Sequence, residues 1–187
     1  MRKILFILIL ATSCTDKQST TSEQVTKYYE GFRNSDYNQI RSTISDSLTI
    51  IEGDYTMVFT PKSFHEQFKW DSVFRPVYKL VAMENEGEHI VATVSVNSLR
   101  FEFLKNNPLT CQHEFNFKSG KITKIENLDC INVNWEVWQR ERDTLVSWIK
   151  VNHPELDGFI YDLSMKGAID YLNAIELYEK SQVEVTE

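Results

Sequence analysis

Three cysteines, four histidines and a surplus of carboxylates are the residues of this sequence that could do chemistry. Their spacing rules out most of it. His65, His89, His113 and His153 show no metal-ligand pattern: there is no H-E-x-x-H and no C-x-x-C. The glycines at 31, 53, 87, 120, 158 and 167 form neither a phosphate-cradling loop nor a nucleophile elbow. No metal and no cofactor is therefore expected. What remains is the thiol of Cys14, the pair Cys111 and Cys130, and His113, which shares the apolar face of a strand with Phe115 and Phe117.

Cys14 ends the stretch MRKILFILILATSC. Arg2 and Lys3 make a basic start, and Ile4 to Ala11 is apolar. Crossing a bilayer takes about 20 apolar residues, so this run is the core of a signal peptide and not a membrane helix. Ala11-Thr12-Ser13-Cys14 resembles the bacterial lipobox, in which the Cys thiol takes a diacylglycerol and the leader is cut before it. Ala11 stands where that motif usually has Leu. The expected division is a signal peptide at 1–13, a polar tether at 14–21, a domain at 22–133 and a helical extension at 134–187. Without Arg2 and Lys3, 18 basic residues face 27 acidic ones, a net charge of −9 against −7 for the whole chain. Such a chain repels phosphate backbones, which excludes nucleic acid as a partner. The expected location is the bacterial cell envelope, outside the cytoplasm and lipid-anchored through Cys14.

The elements that must position these residues follow from periodicity and punctuation. Val25, Tyr28, Tyr29 and Phe32 share one face of a helix over 22–33, with Thr21 and Gln24 at capping-box spacing. Asp36 opens a second helix over 37–44. Leu48 to Ile51 and Tyr55 to Phe59 read as a hairpin about Gly53-Asp54. Thr60-Pro61 starts a short helix carrying Phe64 and Phe68. Strands are expected over 77–83, 89–103, 109–117 and 121–133. From Asn134 the period turns helical: Trp135, Trp138, Leu145, Trp148 and Ile149 make one stripe, read as core. Leu156, Phe159, Ile160 and Leu163 make a second stripe, and Ala168, Leu172 and Ile175 a third, flanked by Tyr171 and Tyr178.

This order resembles the nuclear transport factor 2-like superfamily, which includes SnoaL-like cyclases and ketosteroid isomerases. The resemblance rests on Tyr28-Tyr29-Glu30 through Asn34-Ser35-Asp36-Tyr37, on Ser45-Asp46-Ser47-Leu48-Thr49-Ile50, and on Phe117 to Ile125. It covers about residues 22–133 and implies an α+β fold: a curved antiparallel sheet forming a cone, with N-terminal helices packed across it. The C-terminal helices exceed the family core. The resemblance also implies a pocket lined by the inward face of residues 110–118, including Phe115 and Phe117.

In ketosteroid isomerases a Tyr on the first helix and a late-strand acid donate to an oxyanion, while an Asp after the first strand moves a proton. Counting from the matched motifs puts Tyr28, His113 and Glu52 at those positions. Glu replaces Asp at the base, and His replaces Asp at the donor. The bland reading of the same residues has Tyr28 packing a helix–sheet interface, Glu52 on an exposed turn, and His113 as a satisfied core histidine bonded to a residue such as Glu126. The leading functional expectation is a pocket for a small apolar or peptide-like ligand. A proton-shuttling isomerase, cyclase or dehydratase is the alternative, and a protein–protein assembly module, homodimers included, is a third.

An oxidising compartment favours pairing Cys111 with Cys130. A two-residue turn at Ser119-Gly120, however, sets Cys111 opposite Leu128. Ile122 and Ile125 break strict alternation, which implies a bulge that moves Cys130 to the other face. Only a shifted register brings the two thiols together.

Overall fold

The computed structural model describes residues 20–184. The leader, Cys14 and most of the tether lie outside the described residues. Among the described residues no helix is long and apolar enough to cross a membrane.

Helix α1 (Thr21–Arg33) is capped one residue earlier than its sequence suggests. Thr20 Oγ1 accepts from Glu23 N at 3.2 Å, and Glu23 Oε2 accepts from Thr20 N at 2.8 Å. The charged Glu23 complements the helix N-terminus better than Gln24 would. Helix α2 (Tyr37–Arg41) starts on its Asp36 cap and ends three residues short of expectation, because Ile44 already belongs to the sheet. Gly31 is where these two helices cross: a Cβ there would stand 2.5 Å from Ile40 Cγ1.

Strands β1 (Ile44–Glu52) and β2 (Tyr55–Phe59) form the expected hairpin, with Gly53 at φ +57° in the turn. Thr60 caps helix α3 (Pro61–Ser72). Strands β3 (Val77–Glu86) and β4 (His89–Asn97) follow. The strand expected to run on to 103 stops at Asn97. Ser98 Oγ accepts from Phe101 N and opens a short helix, α4 (Leu99–Phe103). Strands β5 (Leu109–Lys118) and β6 (Lys121–Ile131) complete a six-stranded sheet of order β2-β1-β6-β5-β4-β3. All its pairings are antiparallel except β1 with β6. This is the expected α+β cone, with α1 lying across the concave face.

The β5–β6 ladder corrects the expected register. Pairing begins with Lys118 opposite Lys121 and Phe117 opposite Ile122, then slips by one residue so that Asn116 meets Lys124. It slips again between His113–Asn127 and Cys111–Cys130. Both extra residues sit in β6. One bulge alone would have turned Cys130 to the opposite face; the second turns it back. Cys111 therefore opposes Cys130 and not Leu128, and their sulfurs are bonded at 1.97 Å.

Two clusters of buried side chains make up the interior. The first fills the cone: Val25, Tyr28, Tyr29, Ile40, Phe64, Ile90, Val94, Phe115 and Ile125 are among its members. The second lies between α3, α4 and the C-terminal helices α5 (Trp135–Asn152) and α6 (Met165–Glu184). It joins Trp70, Phe74, Phe103 and Leu104 to Leu145, Ile149, Phe159, Ala168, Tyr171 and Ile175. Trp138 packs against both. Asn106 pins the start of α5: its Nδ2 donates to Asn134 O at 3.2 Å, and its Oδ1 accepts from Asn134 N at 2.8 Å. Trp135 departs from the expected stripe. It is 55% exposed and touches Trp138 edge-on. Residues 154–163 form two single 3-10 turns in place of a helix, which leaves Leu163 exposed.

Candidate functional site

His113 sits in β5 between Ala92 of β4 and Asn127 of β6. Its ring faces α1, where its Nδ1 lies 2.6 Å from the Tyr29 hydroxyl. Burial holds the imidazole at a pKa of about 4, so it is neutral at pH 7. Tyr29 is pushed well above the ordinary tyrosine range, first by burial and then by its neighbour Tyr28. The proton of this pair therefore stays shared between two neutral groups, donated by the hydroxyl or by Nδ1–H according to the tautomer. Glu126, suggested as a partner for His113, pairs instead with Lys124 at 2.7 Å.

Tyr28, one residue earlier on α1, is part of an aromatic interior. Its ring centroid lies 5.2 Å from Tyr29, 5.1 Å from Phe32, 6.4 Å from Phe64 and 5.9 Å from Phe115. Phe115, expected to line an open pocket, is fully buried and packs on both tyrosines. Phe117 packs half-buried against the same cluster. Together these rings pack into the interior of the cone.

Glu52 does not join this group. It lies exposed at the end of β1 and accepts from Asn127 Nδ2 at 3.1 Å. Glu52 lies in the same row as His113, since both are in register with Asn127. Asn127 belongs to the strand between them, however, and two strand spacings separate their backbones by about 10 Å. The structure therefore brings His113 to Tyr29 and leaves Glu52 on the surface. Tyr28, Glu52 and His113 do not converge.

At the C-terminal end of α3 a half-open cleft of about 300 Å³ is lined by Phe32, Ser35, Phe68, Asp71, Ser72, Arg75 and Pro76. Helical spacing builds one wall. Phe64, Phe68 and Asp71 follow at i, i+4 and i+7, so a stripe that begins in the core ends in charge at the cleft, and Arg75 adds a second charge from the loop beyond the helix. Asp71 Oδ2 accepts from the Tyr78 hydroxyl at 2.6 Å. Burial raises the Asp71 pKa, while that hydrogen bond and the charge of Arg100 pull it down. Burial first, and then the field of Asp71, raises both Tyr78 and Tyr28. The Tyr78 ring in turn lies 4.7 Å from Phe32 and 6.1 Å from Tyr29. Asp71, Tyr78, Tyr29 and His113 thus form a line of polar groups leading from the cleft into the cone, walled by aromatic rings.

Arg100, on α4, makes no ion pair among the described residues. Its guanidinium lies over the rings of Trp70, Phe101 and Phe74 at 4.8, 4.9 and 5.4 Å. No three His, Cys, Asp or Glu side chains among the described residues are placed to hold a metal ion. Sequence reasoning missed Asp71 and Tyr78. The available signal was a carboxylate at an apolar position of the Phe64–Phe68 stripe.

Neither a protein-family model nor a curated protein matches the sequence. Solved structures do match the fold. An NTF2-like protein of unknown function from Cytophaga hutchinsonii is 11% identical, with 61% of this chain and 93% of that one covered at a TM-score of 0.50. A candidate polyketide cyclase from Sinorhizobium meliloti is 14% identical, with 59% and 100% covered at 0.50. Another, from Streptomyces antibioticus, is 12% identical, with 65% and 99% covered at 0.51. The fold is that of the nuclear transport factor 2-like proteins.

Proposed function

We propose that the protein is a lipid-anchored binding module of the bacterial cell envelope that takes a small, largely apolar ligand at the mouth of its cone. The observation that carries this reading is the cleft itself. Phe32 and Phe68 offer apolar surface, and one partly desolvated carboxylate stands among them. Ligand sites combine these features, a mostly apolar wall with few convergent polar groups. Two fold neighbours named as candidate polyketide cyclases support a small-molecule site in this kind of cone. At 12–14% identity they carry no reaction over to this chain. The proton-shuttle reading of Tyr28, Glu52 and His113 has no geometric support.

The cleft is tested by titrating the protein with small ring compounds while following the NMR signals of Phe32, Phe68 and Tyr78. Shifts confined to these residues are expected, and their absence across a broad probe set would sink the reading. The anchor is tested separately. Intact mass should show loss of residues 1–13 and an acyl addition on Cys14. Cys14→Ala should move the protein to the soluble fraction, and a variant that stays on the membrane unchanged removes the anchor from the proposal.

A further inference from the structure

The groups around Asp71 narrow the class of ligand. An ionised carboxylate can accept about four hydrogen bonds. From the described residues Asp71 accepts one, from Tyr78 to Oδ2, and none to Oδ1. The neighbouring cations are engaged elsewhere or stand apart. Lys69 pairs with Glu66 at 3.0 Å. The Arg100 guanidinium is stacked on three rings, and its charge reaches Asp71 without an ion pair between them. Arg75 is exposed at the rim and makes no ion pair among the described residues. The apolar walls beside the carboxylate are aromatic, with the Phe32 ring 5.6 Å from Phe68 and 4.7 Å from Tyr78. Ring faces attract cations, and more strongly where water is reduced. The acidic chain adds a favourable field for a positive ligand.

Building on the cleft as the binding site, we propose that its ligand is an organic amine in its ammonium form with an apolar ring-sized body. The ammonium donates to Asp71 Oδ1, and the body lies against Phe32 and Phe68. Desolvation of Asp71 sharpens this choice, because a bound cation restores the charge that burial disfavours.

Three probes of matched shape test the class on the full chain by calorimetry: 2-phenylethylamine, 2-phenylethanol and 3-phenylpropionate. The amine should bind at least tenfold tighter than the alcohol. Asp71→Asn, nearly isosteric, should remove that preference while changing the alcohol's affinity less than twofold. Tyr78→Phe keeps the carboxylate and should keep the preference. Equal binding of amine and alcohol to the parent chain overturns the amine class but leaves the cleft standing. Tightest binding by 3-phenylpropionate also overturns it and gives the site to Arg75. Failure of all three probes, and of the wider ring set, removes the cleft as well. Should Asp71→Asn not fold, the amine-to-alcohol ratio of the parent chain decides by itself.

Discussion

Helix α3 stands between two interiors of opposite character. Phe64 and Phe68 face the cone, whereas Trp70 and the following Phe74 face the C-terminal helices. Both interiors are densely buried, but their chemistry differs. The C-terminal one is closed by Leu145, Ile149, Ala168, Ala174 and Ile175; burial raises Tyr171 there, and the charge that touches it, Arg100, stacks on the rings. The cone holds Tyr28, Tyr29, Tyr78, His113 and Asp71, each pushed from its ordinary pKa first of all by burial. Ionisable groups kept in a dry site cost stability, and such groups concentrate where a protein does its work. The contrast marks one interior as support and the other as site.

That division can be broken most directly by deleting residues 134–187. The cut strips the partners from Trp70, Phe74, Phe103 and Leu104, and the remaining chain is expected to be insoluble or to lose its cooperative melt. A truncated chain melting like the parent would make the two interiors independent.

Single truncations measure each interior. Phe115→Ala in the cone should cost about 3–5 kcal/mol and Leu145→Ala in the C-terminal layer about 2–5 kcal/mol, read from denaturant midpoints. If the clusters are separate, the double variant should equal the sum within about 0.5 kcal/mol. A larger deviation would mean that the shared Trp138 welds them into one core.

The pH dependence separates the cone from its neighbour. His113 falls from 6.5 to about 4 on folding, so the unfolded chain takes up its proton first. Its contribution is complete above pH 6.5 and is lost as pH falls toward 4, by at most roughly 3 kcal/mol. His113→Gln should flatten that limb of a melting-temperature titration. Asp71 has the opposite sign, because its folded pKa is raised. Its contribution is present below the ordinary 3.8 and is lost as pH rises through the folded value. Relative to the parent, Asp71→Asn should therefore gain stability as pH rises through that window. A loss there would make Asp71 a structural brace. The smallest effect is expected at Glu52→Gln, within about ±0.5 kcal/mol at neutral pH, as befits an exposed strand end.

Much of this was legible beforehand because hydrophobic period and turn residues act locally. The Gly53 hairpin, the Thr60-Pro61 helix start and the alternation of β5 read straight through to the fold. What failed depended on distant partners. Residues 99–103 carry strand-like apolar residues, yet the Ser98 cap and the burial of Phe101 and Phe103 between layers make them helical. The cysteine pairing depended on a second bulge in β6, which no alternation rule announces. The site was displaced for a related reason. Adjacent tyrosines on α1 both point inward, so counting chose Tyr28 where the contact with His113 belongs to Tyr29. Asp71 was overlooked because a charge at the end of an apolar stripe reads as a helix terminus until β3 brings Tyr78 to it.

The parallel pairing of β1 with β6 dictates an order of events during synthesis. The β1–β2 hairpin emerges early, but its other neighbour ends only at Ile131. Until β6 is made, β1 presents an unpaired edge, and unpaired edges recruit other chains. The sheet closes late, through a long-range contact that is entropically slow to form. Exposed Asp46 and Ser47, in the stretch where β1 and β6 fall out of step between Ile44 and Thr49, interrupt that edge with polar groups. An irregularity that looks like a defect in the finished sheet is thus well placed to guard the unfinished one.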